Sequence, residues 1–278
     1  MTTRIMGIVN VTPDSFSDGG RYADADAAVE HGLRLRAQGA DILDVGGEST
    51  RPGAERVDPR VEQERVMPVV RAFAEAGIPF SIDTMNASTA VAAVEAGARI
   101  VNDVSGGLAD PDMLAAIAPT GADIALGHWR GHSTDMYARA EYADVVGEVI
   151  AELRERVGVA ASLGIAPSRV ILDPGVGFGK RGDQNWGVLR GLERLVGPGS
   201  RVLVGTSRKR FLAEALSADP AGVDEHRRDL ATAVTSVLAA QAGAWAVRVH
   251  DVAGTRDALL IARSWEEGAA WDPSTRSH

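Results

Sequence analysis

The sequence predicts an α/β protein, a single-domain (β/α)8 TIM barrel, from three observations. Eight short runs rich in β-branched residues recur along the chain, and Ala-rich segments with helical spacing separate them. A glycine stands between several helical segments and the next run, where helices end in a left-handed residue. The 278 residues are close to the length typical of such a barrel.

The predicted strands are almost continuously apolar, which is typical of a parallel sheet covered by helices. In chain order they read RIMGIVNV, ADILDVGG, PFSIDT, RIVNDVS, ADIALGH, VILDPG, RVLVGTS and AWAVRVHD. The helical segments include DADAAVEHGLRLRAQG, RVEQERVMPVVRAFAEAG, YADVVGEVIAELRERVGVAASLG and HRRDLATAVTSVLAAQAG. The glycines that close helical segments are Gly39, Gly77, Gly97, Gly164 and Gly243.

A doubly wound open sheet is the alternative fold. The chain lacks G-x-G-x-x-G after its first strand and lacks G-x-x-x-x-G-K-[ST], which counts against that alternative. We expect one barrel domain over residues 1–270 and a flexible tail, WDPSTRSH, over residues 271–278.

The composition argues against several classes of function. A net charge of -9 argues against a nucleic-acid partner, which would require a basic surface. The absence of cysteine excludes disulfides and thiolate metal sites. No apolar run is long enough to span a bilayer and the N-terminus shows no signal segment, so we expect a cytoplasmic protein without a membrane partner. The chain has only two lysines, Lys180 and Lys209.

Polar residues close nearly every predicted strand. In a (β/α)8 barrel the active site lies at these carboxyl ends. Polar residues are common at strand ends in any protein. The argument for an active site therefore rests on the whole set of residues rather than on any single residue. Asp83 and Asp173 lie inside apolar runs, where an unpaired carboxylate would be costly. The set comprises Asn10, Glu48 to Arg51, Asp83, Asn102, His128, Asp173, Ser207, Lys209, Arg248 and His250.

These groups divide into two subsites. The acceptors Asp83, Asn102 and Asp173 suit a ring with a row of N–H donors, such as a 2-amino-4-oxo pyrimidine. The donors Arg51, Arg248 and His250 suit an anion, and strand periodicity places Arg248 and His250 on the same side. The alternative for Arg248 is an ion pair with Asp251 or another carboxylate.

Lys209 stands in a chain that otherwise nearly always uses arginine, which indicates a compact ammonium beside a ligand ring. The alternative is a chance surface lysine.

His128 and His132 are not spaced on a helix, so we assign them no metal. Asp44, Glu48 and Asp103 are candidates for structural roles in tight turns.

Seven segments resemble the signatures of the dihydropteroate synthase family of folate biosynthesis. They are MGIVNVTPDSFSDGG, DVGGESTRPGA, SIDTM, VNDVSGG, LDPGVGFGK, VGTSRKRFL and VRVHDV, in order from the first strand to the last. The resemblance implies a (β/α)8 barrel and a transferase. Its reaction joins 6-hydroxymethyl-7,8-dihydropterin diphosphate to p-aminobenzoate and releases diphosphate.

The resemblance also implies roles for individual residues. Asn10 would ligate a Mg²⁺ cofactor, and Asp18, Lys209 and Arg248 would act in catalysis. The pterin diphosphate would be bound by Thr50, Asp83, Asn102, Asp173, Lys209, Arg248 and His250. The p-aminobenzoate would be bound by Phe16, Arg51, Pro52, Phe178 and Ser207. A homodimer is implied, with candidate interface surface on RDLATAVTSVLAAQAG.

One segment departs from the family. After the fifth strand the family usually reads L-M-H-M, whereas this chain reads LGHWRGHSTDM, with Gly127 and Trp129. This change would reshape the wall of the pterin pocket. Two alternatives are a non-catalytic pterin-binding homologue and a pterin-dependent methyltransferase domain; the intact SRKRF and first-loop segments disfavour both.

The first loop predicts a lid. Residues 14–20 carry short polar side chains and a Gly-Gly pair, with Phe16 as the one large apolar residue. We expect the loop to be mobile in the free enzyme and to close after diphosphate and Mg²⁺ bind. It would bring Phe16 and Asp18 over the site, so p-aminobenzoate would bind well only after the pterin diphosphate.

Overall fold

The structure, a computed structural model, describes residues 2–12, 20–49, 53–132, 137, 140–197 and 199–267. The predicted first-loop residues Phe16 and Asp18, the second-loop residues Thr50, Arg51 and Pro52, and the predicted tail lie outside these ranges.

Eight parallel strands form a closed barrel in chain order, which confirms the predicted fold. Each strand pairs with its neighbours in sequence, and β1 pairs with both β2 and β8. The apolar runs form strands because both faces are covered, by side chains inside the barrel and by helices outside. The strands are β1 Arg4–Asn10, β2 Ile42–Gly46, β3 Phe80–Asp83, β4 Ile100–Asp103, β5 Asp123–Gly127, β6 Val170–Asp173, β7 Arg201–Val204 and β8 Ala246–Val249.

Helices alternate with the strands and form the outer layer. Two helices, α7 and α8, separate β7 from β8. The five glycines expected to close helices all have positive φ, between 66° and 118°. The helices are α1 Gly20–Gln38, α2 Pro59–Glu75, α3 Ala87–Glu95, α4 Met113–Ile117, α5 Val145–Ser162, α6 Gly182–Arg190, α7 Arg210–Leu216, α8 Glu225–Gln241 and α9 Val252–Glu267. Among the described helices, none has the length and apolar character required to cross a membrane.

The barrel interior is layered. Its apolar layer consists of Met6, Ile42, Ile100, Ala125, Ile171, Leu203 and Ala246. Two residues further along a strand the side chain faces the same side again. At that level the sequence carries Asp44 in β2, Asn102 in β4, Asp173 in β6 and Arg248 in β8, with Asp83 of β3 in register with Asn102. The same periodicity that fills the barrel therefore places a polar layer at its carboxyl end.

Candidate active site

A cavity of about 1180 Å³ opens above this polar layer, at the carboxyl ends of the strands. The structure brings together in this cavity every described residue for which a catalytic, binding or metal role was predicted. The nine that line the cavity are Asn10, Asp83, Asn102, Asp173, Phe178, Ser207, Lys209, Arg248 and His250. The other five, Phe16, Asp18, Thr50, Arg51 and Pro52, lie outside the described residues.

Arg248 is paired with two buried carboxylates. Its Nε donates to Asp44 Oδ2 and its Nη2 donates to Asp83 Oδ2, each at 2.6 Å. The ion pair that the sequence left open for Arg248 is therefore present, with Asp44 and Asp83 as partners. Nη1 makes no ion pair with the described residues, so this nitrogen can face an anion in the cavity.

Asp44 also orients Asn102. Asn102 Nδ2 donates to the same Asp44 oxygen at 2.9 Å, which turns the amide oxygen of Asn102 away from Asp44 as an acceptor. Burial raises the pKa of Asp83 to about 7, and the charge of Arg248 opposes this rise. The structural role expected for Asp44 is thus to hold two cavity residues in place.

Asp173 and Lys209 form the other side of the polar layer. Burial raises the pKa of Asp173, while the charge of Lys209 opposes the rise. Burial lowers the pKa of Lys209 to about 8. Lys209 Nζ donates to the Val176 carbonyl and lies 4.4 Å from the centre of the Phe178 ring. Lys209 is half-buried and lines the cavity, so the alternative of a chance surface lysine is wrong.

A strained turn presents Ser207 and Lys209. Between them Arg208 has a φ of 57°, a left-handed conformation that is costly for a residue with a side chain. Arg208 Nε and Nη2 each donate to Asp229 of α8 at 2.8 Å, which anchors the turn from outside the barrel. On the cavity side, Ser207 Oγ lies 2.8 Å from His250 Nδ1.

The residues present fit a Mg²⁺ ion that uses few protein ligands. Mg²⁺ usually retains several waters and is held by one or two protein oxygens together with substrate phosphates. Asn10 ends β1 and lines the cavity, and its amide oxygen would be such a ligand. Within the described part of the chain, no group of three His, Asp or Glu residues is placed to hold a metal by itself.

The sequence analysis missed Lys180, which also lines the cavity. Lys180 is only 1% exposed, and burial lowers its pKa to about 7. Its ammonium contacts His128 and two carbonyls of the loop after β6. The rarity of lysine was the signal that could have found it, because the chain's two lysines both line one cavity.

Gly127 allows a close approach between two loops. It lies in register with Asp173, at the polar layer. A Cβ at this position would lie 2.3 Å from the Val104 carbonyl oxygen, so the main chain of Val104 occupies the space of a side chain. Val104 lines the large cavity. That this departure from the family pattern reshapes the wall of the pterin pocket stays a prediction. Trp129 borders a separate cavity of about 240 Å³ beside α5.

The fold and the site together define a barrel enzyme whose cavity places hydrogen-bond acceptors beside cationic groups. The sequence pattern of a family described as pterin binding enzyme matches residues 6–250. A dihydropteroate synthase of Mycobacterium leprae is 52% identical over 264 residues, which cover 94% of this chain and 93% of the relative. A dihydropteroate synthase of Bacillus subtilis is 44% identical over 251 residues, covering 90% and 84%. The chain belongs to the pterin binding enzyme family.

Solved structures that are similar to this chain include dihydropteroate synthases. Dihydropteroate synthase of Xanthomonas albilineans with 4-aminobenzoic acid is similar at a TM-score of 0.87 and 44% identity, covering 98% of this chain and 94% of the other. The Yersinia pestis enzyme in a sulfonamide drug complex has a TM-score of 0.88 and 36% identity, covering 96% and 95%.

Proposed function

We propose that the protein is a dihydropteroate synthase. It joins 6-hydroxymethyl-7,8-dihydropterin diphosphate to p-aminobenzoate and yields 7,8-dihydropteroate and diphosphate in folate biosynthesis. One observation carries the proposal: the acceptors Asp83, Asn102 and Asp173 stand beside Arg248 and His250 in a single cavity. The dihydropteroate synthases among its relatives support it.

The acceptor side would bind the pterin ring. Asp83 uses one carboxylate oxygen for Arg248, which leaves the other for ring N–H donors. The amide oxygen of Asn102 is oriented by Asp44, and Asp173 lies two strands further around the barrel, in β6. Lys209 would lie beside the ring as a compact cation. The raised pKa of Asp83 suits a group that becomes fully charged when a donor-rich ligand binds.

The cationic side would bind the diphosphate. Arg248 and His250 would stabilise its charge as the bond from the pterin methylene to oxygen breaks. Thr50 would contribute a further contact to the diphosphate. A Mg²⁺ ion held by Asn10 would add Lewis-acid stabilisation of the leaving group.

The arylamine side would complete the reaction. The amine of p-aminobenzoate would form the new C–N bond at the methylene carbon and lose a proton, so no protein nucleophile is needed. Phe178 and Ser207 line the cavity where this ring would lie. The roles of Phe16, Asp18, Arg51 and Pro52 rest on the family resemblance.

The direct test is product formation. Purified protein with both substrates and excess Mg²⁺ should release dihydropteroate, detected by chromatography, and chelation of Mg²⁺ should stop the reaction. Pterin binding without product would instead indicate a non-catalytic homologue.

We also propose a homodimer formed through α8 and α9. Six large apolar side chains are exposed on these adjacent helices, and Trp265 is the most exposed at 88%. They are Leu230, Val234, Leu238, Leu260, Ile261 and Trp265. A second copy of the chain would cover them, since large exposed apolar patches mark interaction surfaces.

Light scattering tests the dimer. The wild type should show twice the mass of the 29.1 kDa chain, and Leu238→Asp should show one chain. Leu163→Asp, at an exposed residue just after α5, is the matched control and should remain dimeric. A monomeric wild type at micromolar concentration would contradict the proposal.

The cytoplasmic location stays a prediction that cell fractionation can test.

A further inference from the structure

Lys180 contacts the loop after β6, as Lys209 does. Its Nζ donates to the Gly175 carbonyl at 2.9 Å and to the Phe178 carbonyl at 3.1 Å. Its third contact is His128 Nδ1, at 2.9 Å. An ammonium has three N–H donors, and all three are used by protein acceptors. Lys180 therefore has no N–H left for a ligand, although it borders the cavity.

The contact to His128 is part of a longer chain of partners. Burial, together with the charge of Lys180, lowers the pKa of His128 to about 4, so Nδ1 keeps its lone pair as an acceptor. His128 Nε2 then carries the hydrogen and donates to Glu152 Oε2 at 2.9 Å. Glu152 is in turn paired with Arg130. This chain anchors Lys180 to α5, outside the barrel.

The loop that Lys180 contacts needs such anchors. Gly175, Gly177 and Gly179 all have positive φ, between 58° and 83°, so the backbone follows a course that only glycine adopts readily. Lys209 Nζ donates to the Val176 carbonyl, and Lys180 Nζ donates to the carbonyls of Gly175 and Phe178, so the two lysines together hold three carbonyls of this loop.

The loop carries Phe178, which connects Lys180 to the cavity. The carbonyl of Phe178 is held by Lys180, and its ring lies against Lys209 Nζ at 4.4 Å. A change in the position of Phe178 would move the wall beside Lys209. The hydrogen bonds of Arg248 with Asp44 and Asp83 do not involve this loop.

We propose that Lys180 is a positioning residue for the arylamine subsite: it fixes the loop from Gly175 to Lys180 and thereby sets Phe178 against Lys209. The proposal rests on the proposed function, since it assigns Phe178 to the p-aminobenzoate pocket. It adds a residue that binds neither substrate and acts mainly on the arylamine subsite.

Steady-state kinetics test whether a change at Lys180 affects the KM values of the two substrates differently. Lys180→Met keeps a linear apolar stem and removes all three N–H donors. We expect the KM for p-aminobenzoate to rise about ten- to a hundredfold, because a misplacement of about 1 Å in a site can cost about a hundredfold. The KM for the pterin diphosphate should rise at least about tenfold less, since the Arg248 contacts with Asp44 and Asp83 do not involve this loop. Equal changes in both KM values, or none, would overturn the proposal.

Two further variants serve as a control for Lys180→Met and as its substitute. Tyr142→Phe removes a neutral hydrogen bond to the neighbouring Gly179 carbonyl, at 2.9 Å, and should leave both KM values close to wild type. If Lys180→Met does not fold, Lys180→Arg serves instead, because a planar guanidinium cannot converge on the three acceptors that an ammonium reaches. It should raise the KM for p-aminobenzoate in the same selective way.

Hydrogen exchange separates this proposal from the proposed function. Amides of residues 175–180 should exchange faster in Lys180→Met than in wild type, while amides of β3 and β4 stay unchanged. This readout requires no activity, so it holds even if the wild type makes no dihydropteroate. Unchanged protection of the loop would overturn the positioning role.

Discussion

Replacing Arg248 by methionine tests the charge network beneath the cavity. Arg248→Met keeps an unbranched stem but removes the guanidinium from Asp44 and Asp83, which it contacts at 2.6 Å each. Both carboxylates are buried, at 0% and 6% exposed. Removal of one partner from a buried ion pair costs about 3–5 kcal/mol, because a charge is left uncompensated. We expect the free energy of unfolding to fall within that range.

Urea unfolding followed by tryptophan fluorescence measures this loss at neutral pH. The matched control is Arg263→Met, which breaks an exposed pair with Glu267 on α9. That pair should contribute about 0.2–1 kcal/mol, as surface pairs do. The deficit of Arg248→Met should shrink in acid, where protonation removes the uncompensated carboxylate charge. A loss at neutral pH no larger than that of the control would refute the network.

Three further predictions concern pH, the fifth strand and the first loop. Burial raises the pKa of Asp83 from 3.8 to about 7, so between these pH values the folded protein binds more protons than the unfolded chain. Its stability should therefore decrease as pH rises through this window, and Asp83→Asn should lack that contribution in urea unfolding. Equal pH slopes in both proteins would contradict the shift. Gly127→Ala should lower the free energy of unfolding by about 1–3 kcal/mol, the cost of overpacking. Its control is Gly158→Ala, where nothing lies within 4 Å of the added Cβ and stability should not fall. Phe16→Ala should raise the KM for p-aminobenzoate far more than that for the pterin diphosphate; similar rises in both would argue against the lid.

The sequence alone was sufficient to predict the barrel fold and most of the residues assigned to the cavity. Strand runs, helix-closing glycines and the period of two place one residue per strand at the carboxyl end of a barrel. Asp173 and Asn102 were found in this way, because each follows an inward-facing isoleucine by two positions.

The pairing within the site could not be predicted in the same way. Asp44 and Arg248 are 204 positions apart, and they meet only because the closed barrel brings β2 and β8 to either side of β1. Lys180 escaped notice because it follows a glycine-rich loop rather than a strand. Which side of that loop it occupies depends on α5, which is remote in sequence.

The central claim is that one cavity joins a ring subsite to an anion subsite. Calorimetry with two ligands, 6-hydroxymethyl-7,8-dihydropterin and its diphosphate ester, tests it most directly when Asp173→Asn and His250→Ala are compared with wild type. We predict that Asp173→Asn weakens the binding of both ligands about ten- to a hundredfold, as loss of a hydrogen bond to a charged group does. His250→Ala should weaken only the diphosphate ester. Equal losses for both ligands in both variants, or a loss of the unphosphorylated ligand in His250→Ala, would contradict the division into two subsites.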